Sequence, residues 1–435
     1  MPRRMQYIVA MTMVAAGATA QVRLPTVPLP ALTQQTLPQT LDQVQSQSLD
    51  RLSALRHLEI GRLIRGNSRI VDADPNGEPV VRNEILGLGP TDAALDHARS
   101  LGFIVDREQS IGAMNLRLVV FRAPQGMSTK KALRTLREAD PGGSYDYNHI
   151  YTGGGAAGGG ATDPTARAAP ASIPPPANPA QSRARIGLLD SGVDVTHPVF
   201  RESVVHAWGC DSRAVPAAHG TAVASLLIGR SEVFRGVHPD AELYAADVYC
   251  GRPTGGAVDT LVAAFGWMVQ ERVPVINVSL VGPRNAMLER VIGDLIAGGY
   301  VIVAAVGNDG PAAPPLYPAS YQHVVGVTAV DAHRRVLVEA ARGPQVMFAS
   351  PGADLAAAGG DHAYAAVRGT SFAAPFVAAL LASGLRAPNS ADAATAIEQL
   401  AKTAVDLGPP GRDLTYGFGL VGADYRIDPE PLIRR

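Results

Sequence analysis

Near the middle of the chain, the sequence reads Arg185-Ile186-Gly187-Leu188-Leu189-Asp190-Ser191-Gly192. This stretch is typical of a short buried β-strand that stops at a carboxylate and a glycine turn. Similar apolar runs follow at Leu243–Val248, Val273–Val278, Val301–Ala305 and Val324–Ala329. Helical patterns separate them, at Thr221–Ile228, Val258–Gln270 and Ala286–Ala297. This alternation predicts an α/β domain over residues 184–425, with a mostly parallel sheet covered by helices on both faces. Residues 426–435 are expected to form a tail.

The composition excludes several classes of function. The chain has 435 residues, with 38 Lys and Arg against 39 Asp and Glu, so its net charge is −1. A balanced charge without a basic run argues against nucleic acid as a partner and against a membrane-surface role. Hydrophobic residues make up 46% of the chain, which allows a sizeable core.

The N-terminus has the pattern of an export signal. Arg3 and Arg4 precede an apolar stretch over residues 7–17, and Ala18-Thr19-Ala20 is a small-residue cleavage pattern. A membrane anchor is the alternative, but the stretch falls short of the roughly 20 residues that span a bilayer. We therefore expect residues 1–20 to be a signal peptide and the protein to be secreted or periplasmic, without a membrane span.

Two segments follow the signal. Residues 21–78 are expected to be a flexible lead-in with a helix at about 41–65, whose role the sequence leaves open. Residues 79–151 follow the order β-α-β-β-α-β of a split ferredoxin-like α+β unit. This unit has no nucleophile or metal cluster of its own, so it is interpreted as a small binding or chaperone module.

A boundary lies at residues 152–183, which are rich in glycine and then in proline. Such a segment cannot bury enough apolar surface to offset the entropy lost on ordering. We expect an exposed linker that is easily cut.

Candidate catalytic residues stand at strand ends and helix starts. Asp190 ends the first apolar strand, and His219 and Ser371 each begin an apolar helix. Each alone is more often a turn, cap or structural residue. Together they make a triad, in which a carboxylate orients an imidazole that takes the proton of a serine hydroxyl. Asn308 follows the buried strand Val301–Ala305 and can donate to an oxyanion, with the Ser371 N–H as a second donor.

Five motifs of the chain resemble those of a known family. The stretches that resemble the subtilisin-like serine peptidases, in order and spacing, are Gly187–Gly192, His219–Ala224, Asn277–Leu280, Gly307–Asn308 and Gly369–Pro375. The resemblance covers about residues 184–425 and implies a serine endopeptidase that works through an acyl-enzyme. It implies that Asp190 orients His219, that His219 is general base and then acid, that Ser371 is the nucleophile and that Asn308 is the oxyanion donor.

The resemblance also implies how a peptide or protein substrate binds. An extended peptide would pair with Ser279-Leu280-Val281 and with a glycine-rich segment that precedes the active-site region. Ala305-Val306-Gly307 would wall the primary specificity pocket, which favours an uncharged side chain. Leu316 stands where subtilisin has a smaller residue, so we expect a shallower pocket that does not favour Phe and Tyr.

The sequence departs from subtilisin at three further places. Val199 stands where subtilisin has an aspartate that binds calcium, and the loop before Gly236 is shorter than subtilisin's calcium-binding loop. Calcium requires oxygen ligands, so we expect this calcium site to be absent and no metal or other cofactor to be needed. Phe372 replaces the methionine that usually follows the nucleophile.

Cys210 and Cys250 are the two cysteines of the chain. They follow or end strands that are neighbours in the family's sheet, so the resemblance makes a disulfide plausible in an exported protein. The alternatives are two buried free thiols or a zinc site with His206 and His238.

The resemblance gives the N-terminal module a role. Secreted members commonly carry a βαββαβ prodomain that aids folding and inhibits the enzyme, and residues 79–151 fit that layout. We therefore expect a zymogen in which Ser371 cuts its own chain within about 150–184. The alternative is a permanent accessory domain.

Two other functions agree less well with the sequence. A catalytically silent binding protein on the same fold would not need Asp190, His219, Asn308 and Ser371, all of which are present. A sedolisin-like acid peptidase would have Glu in place of His219 and Asp in place of Asn308.

Overall fold

The computed structural model describes residues 56–111, 114–153, 183–213 and 215–433. The expected signal peptide, the first part of the lead-in and residues 154–182 of the expected linker lie outside the described residues. Among the helices that the structure describes, none combines the length and apolar character that crossing a bilayer requires.

The strands are β1 Val71–Ala73, β2 Pro79–Leu88, β3 Ile104–Ile111, β4 Leu116–Arg122, β5 Ser144–Gly153, β6 Arg185–Asp190, β7 Val204–Trp208, β8 Glu242–Asp247, β9 Gly256–Ala257, β10 Val275–Val278, β11 Leu280–Val281, β12 Val301–Ala305, β13 Val325–Val330, β14 Val346–Pro351, β15 Leu355–Ala358 and β16 Tyr364–Val367. The helices are α1 over residues 56–66, α2 Asp92–Ser100, α3 Thr129–Ala139, α4 Ala218–Ile228, α5 Val258–Gln270, α6 Ala286–Ala297, α7 Thr370–Ala382, α8 Ser390–Thr403 and α9 Glu430–Ile433.

A seven-stranded sheet forms the centre of the larger domain, in the order β14-β13-β12-β10-β6-β8-β7. Every neighbouring pair in it is parallel. One face packs against α4 and α7, and the other packs against α5 and α6. The predicted fold class is confirmed. The apolar runs form this sheet because strands covered on both faces bury nearly every side chain.

The N-terminal module has the predicted order β2-α2-β3-β4-α3-β5, with strands arranged β5-β2-β4-β3. Its helices cover one face around a core that includes Phe121 and Leu133. The other face contributes Leu86, Leu118 and Val120 to the apolar layer that contains α5 and α6. The sheet of the module is therefore packed between the module's own helices and the helices α5 and α6 of the larger domain.

The structure corrects the expected boundaries of this region. Residues 56–66 are helical and β1 pairs with the start of β2, so this part of the expected lead-in belongs to the folded module. The expected linker at residues 152–183 starts too early, because Thr152 and Gly153 still belong to β5. They remain in a strand because they pair with the larger domain.

Candidate active site

The Asp190 and His219 side chains form a hydrogen-bonded pair at the carboxyl end of the central sheet. Asp190 is the last residue of β6 and is fully buried, and His219 is the second residue of α4. The His219 Nδ1 lies 2.7 Å from the Asp190 Oδ1. A carboxylate at this distance fixes the imidazole with a proton on Nδ1 and leaves Nε2 as the acceptor.

Ser191 holds this pair in place. Its N–H and its hydroxyl both donate to the Asp190 Oδ1, at 2.6 and 3.1 Å. Its Oγ in turn accepts the N–H of Gly220 at 3.0 Å, which fastens the first turn of α4. Only glycine fits at position 220, because an added Cβ would lie 2.0 Å from the Ser191 carbonyl oxygen.

The pKa of His219 is raised. Burial lowers this pKa, but the charge of Asp190 and the hydrogen bond to it outweigh burial. The pair is therefore arranged to stabilise a protonated imidazole, which is the species formed when a base takes a proton from a hydroxyl.

Ser371 is the second residue of α7 and is fully buried. Its hydroxyl donates to the carbonyl oxygen of Ser279 at 3.4 Å. The His219 Nε2 has no hydrogen-bond partner among the described residues. The rings of His219 and Phe372 lie 5.2 Å apart, which places the start of α7 against His219. The serine and the imidazole are thus neighbours, but the hydrogen bond between them is not made in this state.

A second chain of hydrogen bonds supports the start of α7. The Asn277 Nδ2 donates to the Ser279 Oγ at 2.9 Å, and that hydroxyl donates to the Ser371 carbonyl oxygen at 3.0 Å. Ser279 was expected to pair with substrate, and the antiparallel pairing described for this segment covers its neighbours Leu280 and Val281. The buried hydroxyl of Ser279 positions the candidate nucleophile.

Asn308 is oriented by the same helix. The Thr370 N–H donates to the Asn308 Oδ1 at 3.0 Å, and Nδ2 has no partner among the described residues. The Thr370 hydroxyl oxygen also accepts the N–H of Gly307 at 3.2 Å. An amide fixed through its oxygen and free at its nitrogen can donate to a developing oxyanion.

The expected pocket wall is apolar, and the Leu316 side chain packs against it. Ala305 and Val306 are fully buried, and Gly307 has φ +101°. The Leu316 Cδ1 would lie 2.4 Å from a Cβ added at Gly307, so the leucine side chain packs directly on this glycine.

Strand β5 occupies the cleft beside these residues. On one side Gly153 and Thr152 pair antiparallel with Leu280 and Val281 of β11. On the other side Tyr151 and Ile150 pair antiparallel with the glycine-rich β9. The end of the N-terminal module therefore pairs with both β9 and β11, at the edges where a peptide substrate is expected from the sequence.

Side chains of β5 also anchor it to the larger domain. The buried Tyr151 hydroxyl donates to the Pro283 carbonyl oxygen at 2.5 Å. The Asn148 Oδ1 accepts the N–H of Asp259, and the Asp146 Oδ2 accepts the N–H of Ala286, at 3.2 and 2.8 Å. These two acceptors lie at the N-termini of α5 and α6, which present unpaired backbone donors.

Cys210 and Cys250 form a disulfide, with Cα atoms 5.1 Å apart. The alternatives of free thiols and a zinc site are therefore wrong, because both sulfurs are used in the bridge. Of the proposed histidine ligands, His206 lies with its Nε2 3.3 Å from Glu242 instead.

Two residues beside the disulfide, Asp247 and Tyr249, lie in the site but were not predicted from the sequence. Asp247 ends β8 in register with Asp190, and burial followed by the Asp190 charge raises its pKa. Its Oδ1 accepts the N–H groups of Tyr249 and Cys250. The Tyr249 hydroxyl faces Gly153 in the cleft. Their position at the carboxyl end of a parallel strand, where binding sites form in such sheets, is the sequence feature that indicates them.

Comparison with known proteins identifies the larger domain. Residues 181–419, more than half of the chain, match the subtilase family. The minor extracellular protease Epr of Bacillus subtilis (strain 168) is 31% identical over 207 residues, which are 47% of this chain and 32% of Epr. Subtilisin DY of Bacillus licheniformis is 28% identical over 248 residues, 55% of this chain and 89% of that protein. Subtilisin BL of Lederbergia lenta is 31% identical over 248 residues, 56% of this chain and 90% of that protein.

The chain thus spans about a third of Epr and 64% of subtilisin E of Bacillus subtilis (strain 168). Among solved structures, fervidolysin from Fervidobacterium pennivorans, a keratinolytic enzyme related to subtilisin, matches with a TM-score of 0.64 and 19% identity. That match covers 82% of this chain and 62% of fervidolysin, so the likeness in fold extends beyond residues 181–419. The family match and the subtilisin relatives show that the chain belongs to the subtilase family and is a subtilisin-like serine peptidase.

Proposed function

We propose that this serine peptidase is a secreted or periplasmic endopeptidase, made as a zymogen that cuts its own chain. Ser371 is the nucleophile and His219 is the base that activates it. Asp190 holds His219 in the required tautomer, and Asn308 stabilises the oxyanion. Residues 56–153 form the described part of the prodomain, which serves as intramolecular chaperone and inhibitor.

One observation carries this proposal. The end of β5 lies in the cleft as an extended strand between β9 and β11, with Gly153 against His219. A Cβ added at Gly153 would lie 3.7 Å from the His219 Nε2. A segment that has just been cut and still occupies the site would lie in this way. We propose that the cut falls after Gly153 and before residue 184.

The proton and bond changes follow from this arrangement. The Ser371 hydroxyl turns from the Ser279 carbonyl to His219, a rotation about one side-chain bond. As its oxygen bonds to the substrate carbonyl carbon, its proton passes to the His219 Nε2. The tetrahedral oxyanion accepts hydrogen bonds from the Asn308 Nδ2 and the Ser371 N–H. When the C–N bond breaks, His219 gives the proton to the leaving amine, and water then hydrolyses the acyl-enzyme.

The substrate is an extended peptide with a small, uncharged residue before the cut. The pocket wall at Ala305 and Val306 is apolar, and Leu316 packs on Gly307 with only 4% of its surface exposed. A leucine packed on this glycine takes up space that a smaller residue would leave to an aromatic ring of the substrate.

We further propose that the enzyme lacks the calcium site of subtilisin and works without a metal or other cofactor. Val199 is fully buried in the apolar layer that contains α4 and α7. An aliphatic side chain in that place offers no oxygen to a calcium ion.

The test compares the full-length wild type with Ser371→Ala and with Ser383→Ala. Ser383 is an exposed serine at the end of α7 and is the matched control. Intact mass and N-terminal sequence give the cuts, and a fluorophosphonate probe reports a reactive serine.

We expect wild type and Ser383→Ala to be cut within residues 154–184 and labelled at Ser371. Ser371→Ala should lose residues 1–20, stay otherwise uncut and take no label. A wild type that is active but uncut would make the N-terminal module a permanent accessory domain. A folded wild type that is neither labelled nor active would be a catalytically silent binding protein.

A further inference from the structure

A buried carboxylate lies against the disulfide at the end of β8. The Asp247 Oδ2 lies 3.1 Å from the Cys210 Sγ, and only 8% of Asp247 is exposed. A sulfur in a disulfide carries no hydrogen, so this contact gives the carboxylate oxygen no hydrogen bond. A buried charge usually has a donor or a cation beside it, because taking it out of water is costly. This oxygen therefore faces a place where such a partner would be favourable.

Three atoms that can bind a metal ion meet at this place. The Sγ atoms of Cys210 and Cys250 and a carboxylate oxygen of Asp247 all lie within 4.8 Å of one another. Thiolates and carboxylates are ligands of zinc, and around one tetrahedral ion their atoms lie about 3.6–3.8 Å apart. In the bridged chain the two sulfurs are bonded to each other, and neither is a thiolate. Once that bond is opened, a small separation of the sulfurs makes room for an ion.

Contacts other than the bridge hold these three residues together. The Asp247 Oδ1 accepts the N–H groups of Tyr249 and Cys250 at 2.9 and 2.8 Å, which fixes Asp247 against Cys250. Cys210 follows Gly209, and a Cβ added at Gly209 would lie 2.4 Å from the Asp247 carbonyl oxygen. The loop that carries Cys210 thus packs directly on the end of β8. Cys250 is partly exposed, so an ion can reach the site from solvent.

We propose that opening of the Cys210–Cys250 bridge creates a binding site for a divalent cation that prefers sulfur ligands, such as Zn²⁺, held by both thiolates and by Asp247. A phosphine can open the bridge: phosphorus bonds to one sulfur, the S–S bond breaks, and water gives its oxygen to phosphorus and its two protons to the sulfurs. Binding of the ion then releases these two protons. A water molecule can take the fourth position, as in zinc sites with three protein ligands.

The ion would replace the bridge as the tie between two loops. The backbones of Cys210 and Cys250 are left-handed, with φ of 56° and 50°. That conformation is unfavourable for a residue with a side chain, so both loops depend on being held. The ion would also offset the buried charge of Asp247, which lies in register with Asp190 on the neighbouring strand. The reduced chain should therefore be less stable than the bridged chain, and Zn²⁺ should restore part of the loss.

The test uses the full-length chain with Ser371→Ala, which lacks the proposed nucleophile, so that self-cleavage does not alter the sample. The inference is thus tested independently of the proposed function. A phosphine opens the bridge and is removed in the absence of air, and Co²⁺ is titrated as a coloured substitute for Zn²⁺. The reduced chain should bind one Co²⁺ with a thiolate-to-cobalt absorption that added Zn²⁺ abolishes. The bridged chain should show no such absorption.

Asp247→Asn, made in the same chain, distinguishes this site from a simple pair of thiols. The asparagine keeps an oxygen for the two backbone N–H groups but loses the charge of the carboxylate. Loss of a group that only supports a ligand already lowers metal affinity about 10–100-fold, so loss of this ligand should weaken Co²⁺ binding about tenfold or more. Asp211→Asn is the matched control, because Asp211 follows Cys210 but its side chain is 96% exposed. It should bind Co²⁺ as tightly as the parent chain.

Urea denaturation covers the case in which the reduced chain does not stay folded. Zn²⁺ should raise the urea midpoint of the reduced chain, or keep it folded where it otherwise unfolds, and should leave the bridged chain unchanged. Absence of the cobalt absorption in the reduced chain would overturn the proposal. Equal Co²⁺ affinity with and without Asp247→Asn would overturn it too, because the thiols alone would then bind the ion. A urea midpoint that Zn²⁺ does not raise would have the same consequence.

Discussion

Replacing Arg56 with alanine should weaken the hold of the N-terminal segment on the active-site cleft. Arg56 lies in α1, and its guanidinium lies 2.8 Å from Asp309 and 3.2 Å from Glu78. Asp309 directly follows Asn308, the proposed oxyanion donor. This ion pair gives α1 a role that the sequence left open, because it fastens the N-terminal module beside the candidate catalytic residues.

The size of the effect follows from the burial of the pair. The side chains of Arg56, Glu78 and Asp309 are 15%, 24% and 17% exposed. Exposed ion pairs contribute about 0–1 kcal/mol, and breaking fully buried ones costs about 3–5 kcal/mol. Burial already raises the pKa of Asp309, and the charge and hydrogen bond of Arg56 oppose that rise. We therefore expect a loss of about 2 kcal/mol, or about 30-fold in the dissociation constant of the cut N-terminal segment.

The assay follows peptide hydrolysis after dilution of the cut but still associated enzyme. Arg56→Ala should reach half of its full activity at a concentration about 30-fold higher than wild type. Arg62→Ala is the matched control, because Arg62 is an exposed residue of the same helix and makes no ion pair with the described residues. It should behave as wild type.

A double-mutant cycle with Asp309→Asn isolates the pair. If Arg56 acts through Asp309, the two changes together should cost clearly less than their sum. Equal dissociation of wild type and Arg56→Ala would contradict this role of Arg56, and so would strictly additive effects of the two changes.

Because Asp190 raises the pKa of His219 and only the neutral imidazole accepts the serine proton, activity should be lost as pH falls through a value above about 6.5. In Asp190→Asn this acidic limb of the kcat/KM profile should move to lower pH and kcat should fall about 10⁴-fold; a wild-type limb below pH 6.5 would contradict the pairing. Leu316→Gly should raise kcat/KM for peptides with Phe before the cut, relative to Ala, about tenfold or more, and an unchanged ratio would show that Leu316 does not limit the pocket. Removing the Cys210–Cys250 bridge, which joins residues 40 apart, should lower the free energy of unfolding by about 4 kcal/mol, measured by urea denaturation of the inhibited enzyme. Equal urea midpoints with and without the bridge would contradict that estimate.

Helices and buried strands of the larger domain were predictable because their patterns are local. The expected bounds of α5, α6 and β12 agree with the structure. The apolar strand pattern around β3 covers only Phe103–Asp106, but the strand runs on to Ile111 through a charged stretch. Arg107 of that stretch is paired with Glu84 and Asp259. Charged residues in a strand are stabilised by partners far away in the chain, and a local pattern does not show such partners.

What the sequence alone determined was the alternation of strands and helices, and the residue types at the strand ends, Asp190 and Asn308 among them. Both follow from short-range periodicity and from the rule that parallel strands present their carboxyl ends at one edge. Three features became visible only in the folded chain: β5 lies between β9 and β11, Arg56 reaches Asp309, and Tyr249 faces Gly153. Those contacts join residues about 100 or more apart through backbone pairing, close approach and ion pairing, and the neighbouring sequence does not specify which distant partner each residue meets.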